Sequence, residues 1–125
     1  MYRHERLGFR FNVQISQALQ AELRAVAASV MMRPSQFARR LWQAGLDECR
    51  RVGARRYGRM AQVFAMERTG VLLTVQITEE TRAAFRAVSE QASMTQSELA
   101  RAFLRDGLNA WQAGRAPKRR RVGGG

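Results

Sequence analysis

The chain has 125 residues, 46% of them hydrophobic, and sets 22 Lys and Arg against 10 Asp and Glu, for a net charge of +12. That length suits one small domain or two very small units sharing a core, and the apolar share is too high for whole-chain disorder. One cysteine, Cys49, and one histidine, His4, supply neither a disulfide framework nor a zinc or Cys–His site, and no apolar run is as long as a membrane span.

Every cation except Lys118 is Arg, and the surplus points to a polyanionic partner, nucleic acid before membrane. The leading segment Met1-Tyr2-Arg3-His4-Glu5-Arg6 lacks the apolar core of a signal peptide. With a lone cysteine, this predicts a reducing cytoplasmic location. No nucleophile–base pair, phosphate-cradling glycine loop or pair of carboxylates is visible, so the sequence predicts a non-enzymatic protein needing no cofactor or metal.

Taken in order, the first predicted element is a short alternating strand, with Phe11, Val13 and Ile15 on one face and Arg10, Asn12 and Gln14 on the other. Ser16 stands at an N-cap position before a helix carrying Leu19, Leu23, Val26 and Val30 at helical spacing. A break at Met32-Arg33-Pro34 opens a second helix, with Pro34 suited to its first position. Its broad apolar surface is Phe37, Leu41, Trp42, Gly45, Leu46 and Cys49. Residues 54–69 form a basic and apolar linker, read either as an extension of the second helix or as a segment packed on the core. A second strand follows, with Leu73, Val75 and Ile77 inward and Leu72, Thr74 and Gln76 outward. Thr78 then caps a helix carrying Thr81, Phe85, Val88 and Ala92, and Thr95-Gln96-Ser97-Glu98 is a capping box. The last helix carries Leu99, Phe103, Leu104, Gly107, Leu108 and Trp111, and residues 115–125 read as a flexible basic tail.

The two halves are copies. Gly8-Phe-Arg-Phe-Asn-Val-Gln-Ile-Ser16 aligns with Gly70-Val-Leu-Leu-Thr-Val-Gln-Ile-Thr78 at an offset of 62 residues. The register then continues without a gap through Met32 and Met94, Ser35 and Ser97, Ala38-Arg39 and Ala100-Arg101, to Gly45-Leu46 and Gly107-Leu108. Gly45 and Gly107 each cost about 1 kcal/mol in mid-helix relative to Ala, so their recurrence points to a close helix crossing. A copy of some 46 residues is too small to stabilise itself, and its single strand has no partner within the copy. The copies are therefore expected to intertwine about a pseudo-twofold axis, as a two-stranded antiparallel ribbon over four helices: repeats at 1–53 and 70–114, linker at 54–69, tail at 115–125.

Two in-phase strand–helix–helix units, with second-helix starts Ser35-Gln-Phe-Ala-Arg39 and Ser97-Glu-Leu-Ala-Arg101, resemble the ribbon-helix-helix family of DNA-binding proteins. The family's proteins are usually homodimers of single-motif chains. The resemblance therefore implies a mainly α fold in which one chain is a tandem pseudo-dimer: monomeric, able to associate further on DNA, and with double-stranded DNA as its partner. It implies that the ribbon enters the major groove, with Arg10, Asn12, Gln14, Leu72, Thr74 and Gln76 toward base edges. It also implies phosphate contacts at the second-helix starts, from Arg33 and Ser35 in one copy and Thr95 and Ser97 in the other. Lys118, Arg119, Arg120 and Arg121 in the tail are read as a phosphate-binding arm. Leu72 departs from the pattern, because it stands where the first copy has Arg10. Either the target is asymmetric, or that end of the ribbon meets protein or thymine rather than guanine, and an exposed or edge-packed apolar residue is the plainer reading.

Arg39 and Arg101 read as structural ion-pair or capping partners, and Trp42, Trp111 and Cys49 as core. The implied role is a transcriptional repressor or autoregulator in a bacterium, plasmid or phage. Alternatives are an accessory DNA binder for plasmid partition or conjugative transfer, or a protein-binding antitoxin or anti-host module using apolar Val63 and Phe64. Five of the excess positive charges fall in residues 50–69 and five in 115–125, which leaves the repeats themselves nearly neutral.

Overall fold

A computed structural model describes the backbone of residues 7–65 and 69–124, and the side chains of residues 7–62 and 69–114. The order is β1 (Phe9–Ile15), α1 (Gln17–Ser29), α2 (Pro34–Val52), α3 (Ala54–Ala65), β2 (Val71–Ile77), α4 (Glu79–Ala92) and α5 (Gln96–Gly124). The molecule is thus mainly helical, with one two-stranded antiparallel sheet formed by β1 and β2.

Each strand buries alternate residues because side chains on a strand point to opposite faces in turn. Val13, Ile15, Val75 and Ile77 are at most 1% exposed, while the intervening residues face outward. Below the sheet, Trp42, Phe85, Phe103, Leu23, Leu104 and Leu108 form the buried centre. Trp42 sits edge-on to both Phe11 and Phe85, and its indole N–H donates to Ala100 O at 3.1 Å. That bond satisfies the one polar group the ring brings into the core.

Contacts recur between positions one repeat offset apart, here called mates. Ser16 Oγ accepts from Leu19 N at 2.9 Å, and its mate Thr78 Oγ1 accepts from Thr81 N at 3.1 Å. Met31 and Ser93, also mates, end α1 and α4 in the left-handed region at φ 59° and 58°. The next residues close the helix ends alike, Met32 N to Ala27 O and Met94 N to Ser89 O, at 2.9 and 3.0 Å.

The two mid-helix glycines follow the same rule. A Cβ on Gly45 would lie 2.3 Å from the Phe103 ring, and one on Gly107 would lie 2.9 Å from Leu41 Cδ2. Phe103 and Leu41 are themselves mates, so α2 and α5 cross where each helix lacks a side chain. The close crossing expected from the recurring glycines is present.

Residues 54–65 do not continue α2. Gly53, at φ 98°, ends that helix and α3 begins at once. Ala54, Tyr57 and Ala61 are buried, and a Cβ on Gly58 would meet Ala92 O at 2.8 Å, so α3 lies tightly against α4. Position 115, the mate of Gly53, is Arg, and no such break occurs there. The backbone of residues 115–124, expected as a flexible tail, instead belongs to α5. Helix propensity does not account for that continuation, because Pro117, Gly123 and Gly124 are poor interior helix residues. The side chains of Lys118, Arg119, Arg120 and Arg121, like those of Val63 and Phe64, lie outside the described residues.

Candidate nucleic-acid interface

The outer face of the ribbon is set by strand register. Arg10 lies opposite Gln76, Asn12 opposite Thr74, and Gln14 opposite Leu72. All six side chains are exposed, so the predicted readers are gathered on one surface. The register has Asn12 and its own mate Thr74 at its centre, and the flanking pairs exchange positions under the repeat. Along each strand the readers span about 14 Å, at ~3.4 Å per residue, a fair match to the B-DNA major groove.

The central pair is internally bonded. Thr74 Oγ1 donates to Asn12 Oδ1 at 2.8 Å. The bond turns the Asn12 amide N–H groups outward as donors and leaves its oxygen a second lone pair. At one end, Arg10 and Gln76 present the donors suited to purine edges. At the other, Gln14 stands beside Leu72, which is 55% exposed.

Two arginines not assigned as readers hold the ribbon on its helices. Arg39 Nη1 donates to Gln76 O at 3.1 Å, and Arg101 Nη1 donates to Gln14 O at 3.0 Å. Arg39 and Arg101 are mates, as are Gln76 and Gln14. Their role is structural, but the partner is a strand carbonyl rather than the carboxylate or helix end expected. In a two-stranded sheet both strands are edges with unpaired carbonyls, and these guanidinium groups occupy one on each side. The recurrence of Arg at the repeat offset was the available signal. Near the Arg10 end, Arg82 adds a further cation, its guanidinium carbon 4.7 Å from the centre of the Phe9 ring.

The two second-helix starts differ. At α2, the Arg33 side chain has no acceptor and makes no cap, while Gln36 Oε1 accepts from Arg33 N at 3.3 Å. No acidic residue lies in the first turn of α2, so its positive dipole end is uncompensated. At α5, Glu98 N donates to Thr95 Oγ1 at 3.0 Å and Thr95 N donates to Glu98 Oε1 at 2.9 Å. The capping box therefore places a carboxylate at this helix start, while the Thr95 hydroxyl, which accepts in the box, keeps its O–H free to donate. Ser35 and Ser97 are half-buried in their respective first turns.

Elsewhere, burial pushes the Cys49 thiol up to about 11, which keeps it protonated and unreactive at neutral pH. Among the described residues no group of His, Cys, Asp and Glu could hold a metal ion, and no helix is long and apolar enough to cross a membrane. The chain matches no protein-family profile, no curated protein and no solved structure.

Proposed function

We propose that the chain is a tandem ribbon-helix-helix pseudo-dimer that binds duplex DNA sequence-specifically, with its two-stranded ribbon in the major groove. The observation that carries this reading is the register: three facing pairs of exposed side chains, centred on Asn12 and its mate Thr74. Arg, Asn and Gln are the residue types whose paired donors and acceptors match purine edges in that groove. The open, acid-free start of α2 beside Arg33 suits a phosphate of the flanking backbone. The role is that of a repressor or autoregulator in a bacterial, plasmid or phage setting, acting in the cytoplasm as a folded monomer.

The test uses a duplex enriched from a random pool by the full-length chain. Asn12→Ala and Gln76→Ala are each expected to weaken binding to it by about 1–3 kcal/mol, with the circular dichroism spectrum and unfolding midpoint unchanged. Both positions are exposed, so the fold does not depend on them. Unchanged affinity in both variants contradicts ribbon readout.

A further inference from the structure

The reading face has two unlike ends, and the starts of α2 and α5 beside them differ in the same sense. The starts of α4 and α1 differ in the opposite one, with Glu79 and Glu80 against no first-turn acid. Arg39 ties α2 to Gln76, so the start of α2, with Arg33 and no acidic first-turn residue, flanks the end that displays Arg10 and Gln76. Arg82 adds a cation there, and the acids of the first turn of α4 are Glu79 and Glu80, with Glu79 paired to Arg82 at 3.6 Å. Arg101 ties α5 to Gln14, so the start of α5, with its Glu98 carboxylate, flanks the end that displays Gln14 and Leu72. Among the described residues, one end therefore offers hydrogen-bond donors amid an excess of cations. The other offers a half-exposed isobutyl group, with Arg101 set against Glu98.

Resting on the major-groove reading above, we propose that the ribbon recognises a non-palindromic duplex in one fixed orientation. Arg10 and Gln76 lie over purine edges at one end, and Leu72 packs on a thymine C5-methyl group at the other. The methyl is the apolar feature that distinguishes a base in the major groove, and guanine and adenine edges are what Arg and Gln bind bidentately. A symmetric dimer presents the same readers to both half-sites and has no preferred direction. Here, replacement of the mated Arg by Leu72 removes that equivalence, and the carboxylate at α5 weakens phosphate contact on the same side. Both effects act in one direction along the duplex.

The test selects duplexes from a random pool with the full chain and with Leu72→Arg, a substitution at an exposed position. Each thymine of the selected site is then replaced by deoxyuridine, which removes only the methyl group. The native chain is expected to enrich a motif with unlike ends and to lose about fourfold in affinity when uracil replaces thymine at one end alone, the value of one buried methyl-sized group. Leu72→Arg is expected to abolish that loss and to shift the motif toward matching purine contacts at both ends. A palindromic motif for the native chain, or equal uracil effects at both ends, overturns directional reading and leaves DNA recognition standing. Failure of the native chain to enrich any motif overturns both.

Discussion

The groove between α1 and α5 and the groove between α2 and α4 occupy mated positions, yet one is bridged and the other stands open. In the first, Arg105 Nη1 donates to Glu22 Oε1 at 2.7 Å, and Gln112 Nε2 donates to Glu22 Oε2 at 3.0 Å. Trp111 fills the same side, its ring edge-on to Phe37 at 5.8 Å. In the second, the mates of Arg105, Glu22 and Trp111 are Gln43, Ala84 and Cys49. Those shorter and uncharged side chains leave a cavity of about 340 Å³ lined by Gln43, Leu46, Arg50, Glu80, Thr81 and Ala84. A second, of about 220 Å³, reaches Cys49 and Val88.

The contrast teaches where the halves are constrained to agree. The glycine crossing, the strand register and the Arg39 and Arg101 anchors recur and hold one half to the other, and the helix caps recur within each half. The outer grooves and the ends of the ribbon also join residues of both halves, yet there the mated positions carry different side chains. Two copies joined in one chain always meet the same partner, so a change in one need not suit a second identical surface.

The largest expected effect tests the crossing. Gly45→Ala drives a methyl group into the Phe103 ring and is expected to lower the unfolding free energy by about 1–3 kcal/mol, as overpacking does. Gly107→Ala meets the movable end of Leu41, and the helix-propensity gain of about 1 kcal/mol offsets the contact, so its net change is expected within about 1 kcal/mol of zero. Urea unfolding measures both, and equal losses break the assigned difference between the two sides.

A smaller effect tests the grooves. Glu22→Ala removes the acceptor of a half-buried pair and is expected to cost about 1–2 kcal/mol, between the values for exposed and buried pairs. Rebuilding the pair across the open groove, with Gln43→Arg and Ala84→Glu together, is expected to raise the thermal midpoint slightly. A fall in the midpoint contradicts the equivalence of the two grooves.

The smallest effect is a pH dependence confined to one half. Burial holds the Asp106 carboxyl above its ordinary range, against the opposing hydrogen bond from Tyr57 O–H at 3.5 Å. The folded state therefore binds the proton more tightly than the unfolded chain. Stability is expected to fall as pH rises from the ordinary carboxylate range through the raised folded value, and to be insensitive to this group below that window. Asp106→Asn is expected to flatten that slope in unfolding titrations, and an unaltered slope contradicts the assignment. The mate of Asp106 is Ala44, which contributes no such window.

Much of this architecture was legible in the sequence. Alternation marked both strands, Ser16 and Thr78 marked the caps, and the constant offset tied them together. The register was not legible, since the offset lets an antiparallel pair of mated strands centre on any residue and its mate, and only the structure selects Asn12 and Thr74. The α3 helix was not legible as an element of its own, because its apolar and basic residues fit either an extension of α2 or a packed segment. Gly53 decides between them only once its positive φ is known. Closure of the α1–α5 groove joins Glu22 to residues more than 80 positions away, beyond any local pattern. The capping box at Thr95 and Glu98 could be read directly, but its consequence for phosphate binding required the two helix starts side by side.

Methylation interference on a selected duplex tests the central claim most directly, because dimethyl sulfate marks guanine N7 in the major groove and adenine N3 in the minor groove. With the ribbon in the major groove, N7 methylation within the site is expected to block binding and N3 methylation there to leave it intact. Interference from adenine N3 alone, or from neither position, would contradict a ribbon seated in the major groove.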